Sequence, residues 1–239
     1  FVPNSRGILL AARKLIHDEG SREIVIICHG FLMHMDSLLI HDLAHGLPWN
    51  SFRFDFTGNG LSQGEFKLAN ISREVEDLRD VVNYVRSQGY FVKTIIGHSK
   101  GAWVSMIYNA QYGRIPMTVL ISCDYYVCEI PNFAKSGVEQ LRRQGWVDLE
   151  FPGRVIRYSY QDYLDRVRFD PEELCRSVSG DFLVISGEKD MGISIHHTQS
   201  LANALGSKCV GMIIIPEAGH TFGRRVPQLA QAIIRNMEA

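Results

Sequence analysis

No stretch of the 239-residue chain is apolar for long enough to cross a bilayer. The longest runs, such as Met212 to Pro216, fall far short of the roughly 20 residues a spanning helix needs. Charge of one sign is scarce too: a formal net charge of −1 gives no electrostatic footing for a nucleic acid or an anionic membrane. Cysteine is sparse and odd in number, and Cys28, Cys123, Cys128, Cys175 and Cys209 include no C-x-x-C spacing. Cys28, Cys123 and Cys209 lie in or beside apolar, strand-like runs. That reads as free, buried thiols of a reducing compartment and points to the cytoplasm. No signal peptide is visible, although a chain that begins at Phe1 rather than methionine leaves room for a segment upstream. Internal repeats and low-complexity linkers are missing as well. What remains is an ordinary globular composition, 46% hydrophobic and 21% charged, on a chain long enough for one large α/β domain or two small ones.

The hydrophobic pattern alternates between strands and helices. Ile8 to Ile16 reads as an early strand, and Glu23 to Cys28 is continuously apolar, as a strand covered on both faces should be. Asp36 to Leu47 reads as a helix with Leu38, Leu39, Leu43 and Leu47 on its apolar face. Ser51 to Phe56 is another strand, followed by the glycine-rich turn Asp55 to Ser62. Ile71, Val75, Leu78, Val82 and Val85 recur at intervals of three and four. They predict a helix over Ser72 to Gln88, with Ser72 placed to cap it, Glu74 and Glu76 in its first turn, and Gly89 to end it. A strand over Thr94 to Ile96, a helix from Ala102 to about Tyr112 and an apolar run from Met117 to Cys123 follow. From Asp124 to about Ser179 the text turns aromatic and charged and offers no long buried strand. Alternation then resumes with strand Phe182 to Ser186, helix Ile195 to Leu205, strand Val210 to Ile215 and a terminal helix Val226 to Met237. The expectation is one α/β domain over residues 1–239, its central sheet mostly parallel with helices on both faces, interrupted by a small cap at about 124–179.

The chemistry gathers at Gly97-His98-Ser99-Lys100-Gly101, between a predicted strand and a predicted helix. A strand that turns sharply into a helix crowds its own backbone. Glycines must flank the turn, and the serine is left exposed at its tip as a nucleophile. In chains built on such an elbow the acid and the base follow the serine in that order, each just after a later strand. Asp190 stands after Phe182 to Ser186, with Glu188 as the alternative, and His220 stands after Val210 to Ile215. A serine hydroxyl needs a base to take its proton; the His220 imidazole suits this, and Asp190 would orient the ring and stabilise the imidazolium. The oxyanion would be met by the backbone N–H of Lys100, right after the nucleophile, and by that of Phe31 in the loop after Cys28. No metal or organic cofactor is needed.

Other polar clusters read as structural. His98 is a packing or hydrogen-bonding neighbour of the elbow, and Asp55 with Gly58 and Gly60 fixes a turn, since a phosphate loop would need a lysine and a following helix there. His41 and His45 sit four apart on a predicted helix, but the glutamate of a metalloprotease motif and a third ligand are missing. They read as a solvated face, as does His196-His197.

Taken together, His29-Gly30-Phe31, Phe54 to Ser62, Gly97 to Gly101, Gly187 to Asp190 and Gly219-His220 resemble the α/β-hydrolase superfamily over nearly the whole chain. More narrowly they look like its cinnamoyl/feruloyl esterase-like serine hydrolases, near the serine-aminopeptidase-type and monoacylglycerol-lipase-like relatives. The resemblance implies Ser99, Asp190 and His220 as triad, Phe31 and Lys100 as oxyanion donors, and a cap after the strand ending near Cys123. Two positions depart from the feruloyl esterase pattern: Lys100 replaces a frequent glutamine, and Ala102 a frequent glycine. The expected function is hydrolysis of a small-molecule carboxylic ester, of small to medium or aromatic acyl type, through an acyl-enzyme. A thioesterase, lipase or peptidase could use the same residues. Outside catalysis the alternative is a ligand-binding or signalling protein with little turnover; a dehalogenase or epoxide hydrolase would carry an aspartate at the elbow. The cap aromatics Tyr125, Tyr126, Phe133, Trp146, Phe151, Tyr158, Tyr160 and Tyr163 read first as the cap's own core, with some free to line an acyl pocket. Oligomeric state is not written in the sequence.

Overall fold

The structure is a computed structural model that describes residues 1–68, 70–113, 115–125, 137–151 and 153–238. Tyr126, Cys128 and Phe133 therefore lie outside the described residues. In chain order the elements are β1 (Val2–Pro3), β2 (Leu9–Leu10), β3 (Ala12–Leu15), β4 (Glu23–Cys28), α1 (Leu38–Gly46), β5 (Ser51–Phe54), α2 (Ile71–Ser87), β6 (Phe91–His98), α3 (Lys100–Tyr112) and β7 (Met117–Ile121). Then come α4 (Val138–Gln144), β8 (Trp146–Phe151), β9 (Arg154–Ser159), α5 (Tyr160–Val167), α6 (Pro171–Ser177), β10 (Asp181–Gly187), α7 (Ile195–Leu205), β11 (Cys209–Ile215) and α8 (Val226–Met237).

Seven strands form the central sheet in the order β11-β10-β7-β6-β4-β5-β3, all parallel except β3, which closes one edge antiparallel to β5. Successive side chains of a strand point to opposite faces, and β4 shows why its sequence is apolar throughout. Ile24, Ile26 and Cys28 face the layer of α2, α3 and α7, whereas Val25 and Ile27 face α1 and α8. Both sides are buried, so no polar alternation survives. The parallel strands aim their C-terminal ends, at Cys28, Phe54, His98, Ile121, Gly187 and Ile215, at one rim of the sheet, where such folds place their ligands.

Three local expectations change. Leu38 is 69% exposed, and the buried stripe of α1 is Leu39, Ile40, Leu43 and Ala44, with Leu47 buried just beyond the helix. At 100° per residue Leu38 shares its side with Asp42 and His45 and so turns to water. Ser72 does not cap α2, which begins one residue earlier. Instead its N–H donates to Asp165 Oδ2 at 3.0 Å and its hydroxyl donates to Asp165 Oδ1, so a carboxylate of α5 sits on the positive end of the helix dipole. The segment between β7 and β10 also contains a hairpin, β8 paired with β9 from Trp146↔Ser159 to Phe151↔Arg154. Its buried Val147 and Leu149 alternate with exposed Asp148 and Glu150, the period-2 signature of a half-buried strand rather than the continuous run of a central one. Val147, Leu149, Ile156 and Tyr158 form a small core with Leu68 and Leu141, and Phe31 packs against it. In contrast, α6 packs against the main body, with Leu174 and Cys175 in its core.

Candidate active site

At the end of β6 the chain turns through Ser99 at φ +53° and ψ −120° and enters α3 at Lys100. L-residues avoid that backbone, and a non-glycine found there is held by its surroundings. A Cβ at Gly97 would lie 2.4 Å from the Gly101 carbonyl oxygen, and one at Gly101 would lie 2.4 Å from the His29 carbonyl oxygen. Backbone meets backbone at both positions, so glycine is required. The Ser99 N–H donates to the Ile121 carbonyl at 2.8 Å, which pins the elbow to β7.

Asp190 and His220 come from different strand ends. The loop after β10 is tied to the loop after β11 by the Lys189 N–H, which donates to the Ala218 carbonyl at 2.8 Å. Asp190 Oδ1 accepts the N–H groups of Gly192 and Ile193 at 2.9 and 2.8 Å, and Oδ2 receives His220 Nδ1 at 2.8 Å. Burial alone would raise this carboxyl. The His220 and Ile193 hydrogen bonds outweigh burial and hold it below its ordinary value. With Nδ1–H committed to the carboxylate, Nε2 of His220 is left as the basic nitrogen. Glu188 is exposed and accepts the Glu217 N–H at 2.9 Å, away from the imidazole.

His220 and the elbow are joined through His98. Its Nε2–H donates to the His220 carbonyl at 2.9 Å, and the two rings lie 4.8 Å apart between centroids. His98 is buried, and burial with the neighbouring His220 pushes its pKa down to about 4. The loop carrying Phe31 lies directly on the elbow: a Cβ on Gly30 would stand 3.1 Å from Ser99 Cβ. His29 anchors that loop. Its Nε2 accepts the Phe56 N–H at 3.2 Å and its Nδ1–H donates to the Gly30 carbonyl at 2.9 Å, while burial drives its pKa down to about 3. Asp55 bridges the next turn, accepting the N–H groups of Met35 at 2.6 Å and Leu61 at 2.8 Å. Ser99, Asp190, His220, Phe31 and Lys100 are thus gathered at one rim of the sheet.

Two groups at the rim escaped the sequence reading. Glu74, counted there as a helix-dipole residue, is buried and paired with the Lys100 ammonium. Asp124, just past β7, receives His197 Nδ1 at 2.9 Å and Arg166 of α5 at 3.1 Å. All three pairs join residues too far apart in sequence for any local pattern to reveal. His41 and His45 stack on α1, 4.2 Å between ring centroids, and among the described residues no three His, Cys, Asp or Glu side chains gather as a metal site would require. Among those residues, too, no helix is long and apolar enough to cross a membrane.

The architecture is similar to that of Est1E from Butyrivibrio proteoclasticus, determined with ferulic acid bound. The TM-score is 0.81 at 18% identity, covering 99% of this chain and 97% of that one. The esterase domain of a Rhodothermus marinus protein is similar with a TM-score of 0.73 at 19% identity, covering 97% of this chain and 93% of the other. XC6422 from Xanthomonas campestris, an α/β serine hydrolase without a lid, gives 0.69 at 19% identity, covering 99% and 91%. Identities this low establish the fold alone, and it is the α/β-hydrolase fold. No curated protein matches the chain. A family profile described as serine aminopeptidase, S33, matches residues 19–178, two thirds of the 239 residues, and the chain belongs to that hydrolase family.

Proposed function

We propose that the protein is a serine hydrolase that cleaves carboxylic esters of small to medium or aromatic acyl groups through Ser99, His220 and Asp190. The observation that carries this reading is the 2.8 Å contact of Asp190 with His220 Nδ1, at the rim where Ser99 occupies a strained turn. The Ser99 hydroxyl attacks the acyl carbon as its proton passes to His220 Nε2. The carbonyl π electrons move onto oxygen, and the N–H groups of Phe31 and Lys100 face that charge. Collapse of the tetrahedral adduct expels the alcohol, which takes the proton from His220. A water molecule repeats the sequence on the acyl-enzyme and releases the acid. Asp190 stays ionised throughout and stabilises the imidazolium.

The family description names an aminopeptidase and Est1E was seen with ferulic acid, so the leaving group needs an argument from this chain. A peptide N-terminus is an ammonium and calls for an uncommitted carboxylate. Among the described residues the carboxylates around the elbow are engaged: Asp190 by His220, Glu74 by Lys100 and Asp124 by Arg166 and His197. That favours an uncharged ester. We read residues 1–239 as one domain, with the segment at about 124–179 as a cap whose hairpin core packs against Phe31. The four described cysteines are free, three of them buried, which supports a reducing compartment such as the cytoplasm.

The test is labelling by a fluorophosphonate probe together with turnover of p-nitrophenyl esters of graded acyl length and of an aminoacyl p-nitroanilide, beside Ser99→Ala. Ester turnover and labelling that vanish in the variant are expected. Turnover unchanged in Ser99→Ala would remove Ser99 from the mechanism, and preference for the anilide would make the protein a peptidase. Ligand binding without turnover in the wild type would make it a receptor.

A further inference from the structure

Lys100 is usually counted, at such an elbow, for its backbone alone. Here its side chain is also placed. The ammonium contacts Glu74 Oε1 at 2.5 Å from the first turn of α2, with side-chain exposures of only 9% for the lysine and 3% for the glutamate. Among the described residues Glu74 Oε2 is buried without a hydrogen-bond partner, so Lys100 supplies the cationic compensation of that carboxylate there. Burial raises the Glu74 carboxyl and Lys100 opposes that shift, as expected of a pair withdrawn from water. On its other side the ammonium lies 5.9 Å from the Phe31 ring centroid and 5.8 Å from that of Phe66, within cation–π range of both. The Phe31 and Phe66 rings are 6.1 Å apart, and Phe151 of β8 meets Phe31 edge-on at 5.5 Å.

We propose that the Lys100 side chain, clamped by Glu74, is the positioning group of the oxyanion hole: it seats the Phe31 ring and thereby sets the distance between the Phe31 and Lys100 N–H groups. The proposal rests on the serine-hydrolase reading above. One residue then carries one donor on its backbone and fixes the other through its side chain. A buried ion pair is weak support for stability as such, because apolar replacements of similar volume are often equally stable. Its placement under the oxyanion loop points to geometry, and small displacements of donors are expensive in rate.

The decisive variant is the double replacement Glu74→Leu with Lys100→Met, which removes both charges and keeps the volume. A melting temperature near the wild-type value is expected, with kcat lowered on the order of 10- to 100-fold and KM changed by less than about threefold. The preference for an oxygen ester over the matching thionoester, a reporter of hydrogen bonding to the carbonyl oxygen, should shrink in parallel. Glu74→Gln, which keeps shape and removes one charge, should lie between the two, and it serves if the double variant does not fold. Wild-type kcat and thionoester discrimination in whichever folded variant is measured would reduce the pair to structural filler and overturn the proposal. A wild-type protein that is neither labelled by fluorophosphonate nor active on any ester overturns the hydrolase reading itself, and that outcome is scored before any variant is compared.

Discussion

The elbow should be a place where stability has been exchanged for geometry, and replacing Ser99 with glycine measures the exchange. Ser99 holds φ +53° and ψ −120°, a conformation that costs a residue with a Cβ on the order of 1–3 kcal/mol and costs glycine almost nothing. Glycine brings its own penalty, roughly 0.5–1 kcal/mol of extra freedom in the unfolded chain relative to alanine. Ser99→Ala retains the Cβ and with it the strain, so it is the proper reference. Taking about 2 kcal/mol of strain less about 0.8 kcal/mol of entropy, Ser99→Gly should be more stable than Ser99→Ala by about 1 kcal/mol. For a chain of this length that corresponds to a rise of roughly 2–4 °C in melting temperature. Thermal and urea unfolding of the two variants provide the comparison. A Ser99→Gly protein no more stable than Ser99→Ala would refute the claim that the turn is strained.

Asp190→Asn should leave the fold intact and lower kcat on the order of 10⁴-fold, because the amide favours the wrong imidazole tautomer, whereas Glu188→Gln should stay within about twofold of wild type in the same assay. Asp165→Ala removes the carboxylate that holds the Ser72 N–H and hydroxyl and should cost about 1 kcal/mol in urea unfolding, with faster amide exchange in the first turn of α2. The buried imidazoles set an acid limit. His29 and His98 have folded pKa values of about 3 and about 4, below the ordinary 6.5, so the unfolded chain binds their protons more readily. Their contribution is therefore complete above pH 6.5 and is lost as pH falls toward the folded values, at about 1.4 kcal/mol per pH unit for each ring. Urea midpoints should drop steeply between pH 6.5 and 5, and a flat profile there would mean that the rings are not buried as neutral groups.

The main body was legible because its signals are local. α7 and α8 run from Ile195 to Leu205 and from Val226 to Met237, the expected limits, and β4 spans its expected Glu23 to Cys28. The elbow could be read for the same reason: the steric demand on Gly97 and Gly101 comes from residues within a few positions and from one neighbouring strand. What escaped depends on partners distant in sequence. The Ser72 hydroxyl looked like a cap until Asp165, 93 residues on, was found to occupy the place. Glu74 reads from sequence as a first-turn acid, and its partner Lys100 lies 26 residues on. The β8–β9 hairpin escaped for another reason. The central strands are continuously apolar because both their faces are covered, whereas a strand covered on one face alternates.

On the proposed mechanism, the same long-range packing also favours one imidazole as the base. The imidazoles His29, His98 and His220 lie at the rim around Ser99, and the choice of His220 made from its position in the chain is supported by what surrounds each ring. Two are sealed in the interior, where burial disfavours the charged form and their hydrogen bonds run to backbone groups: Phe56 and Gly30 for His29, and the His220 carbonyl for His98. Of these three, His220 has a carboxylate on Nδ1, and its side chain keeps 34% of its surface exposed. Among the described residues an imidazolium formed at His98 would have no facing carboxylate in hydrogen-bond contact, whereas one formed at His220 meets Asp190 at 2.8 Å. On the proposed mechanism, proton transfer from Ser99 would be directed by what surrounds each ring, with His98 staying neutral while it holds the backbone of His220.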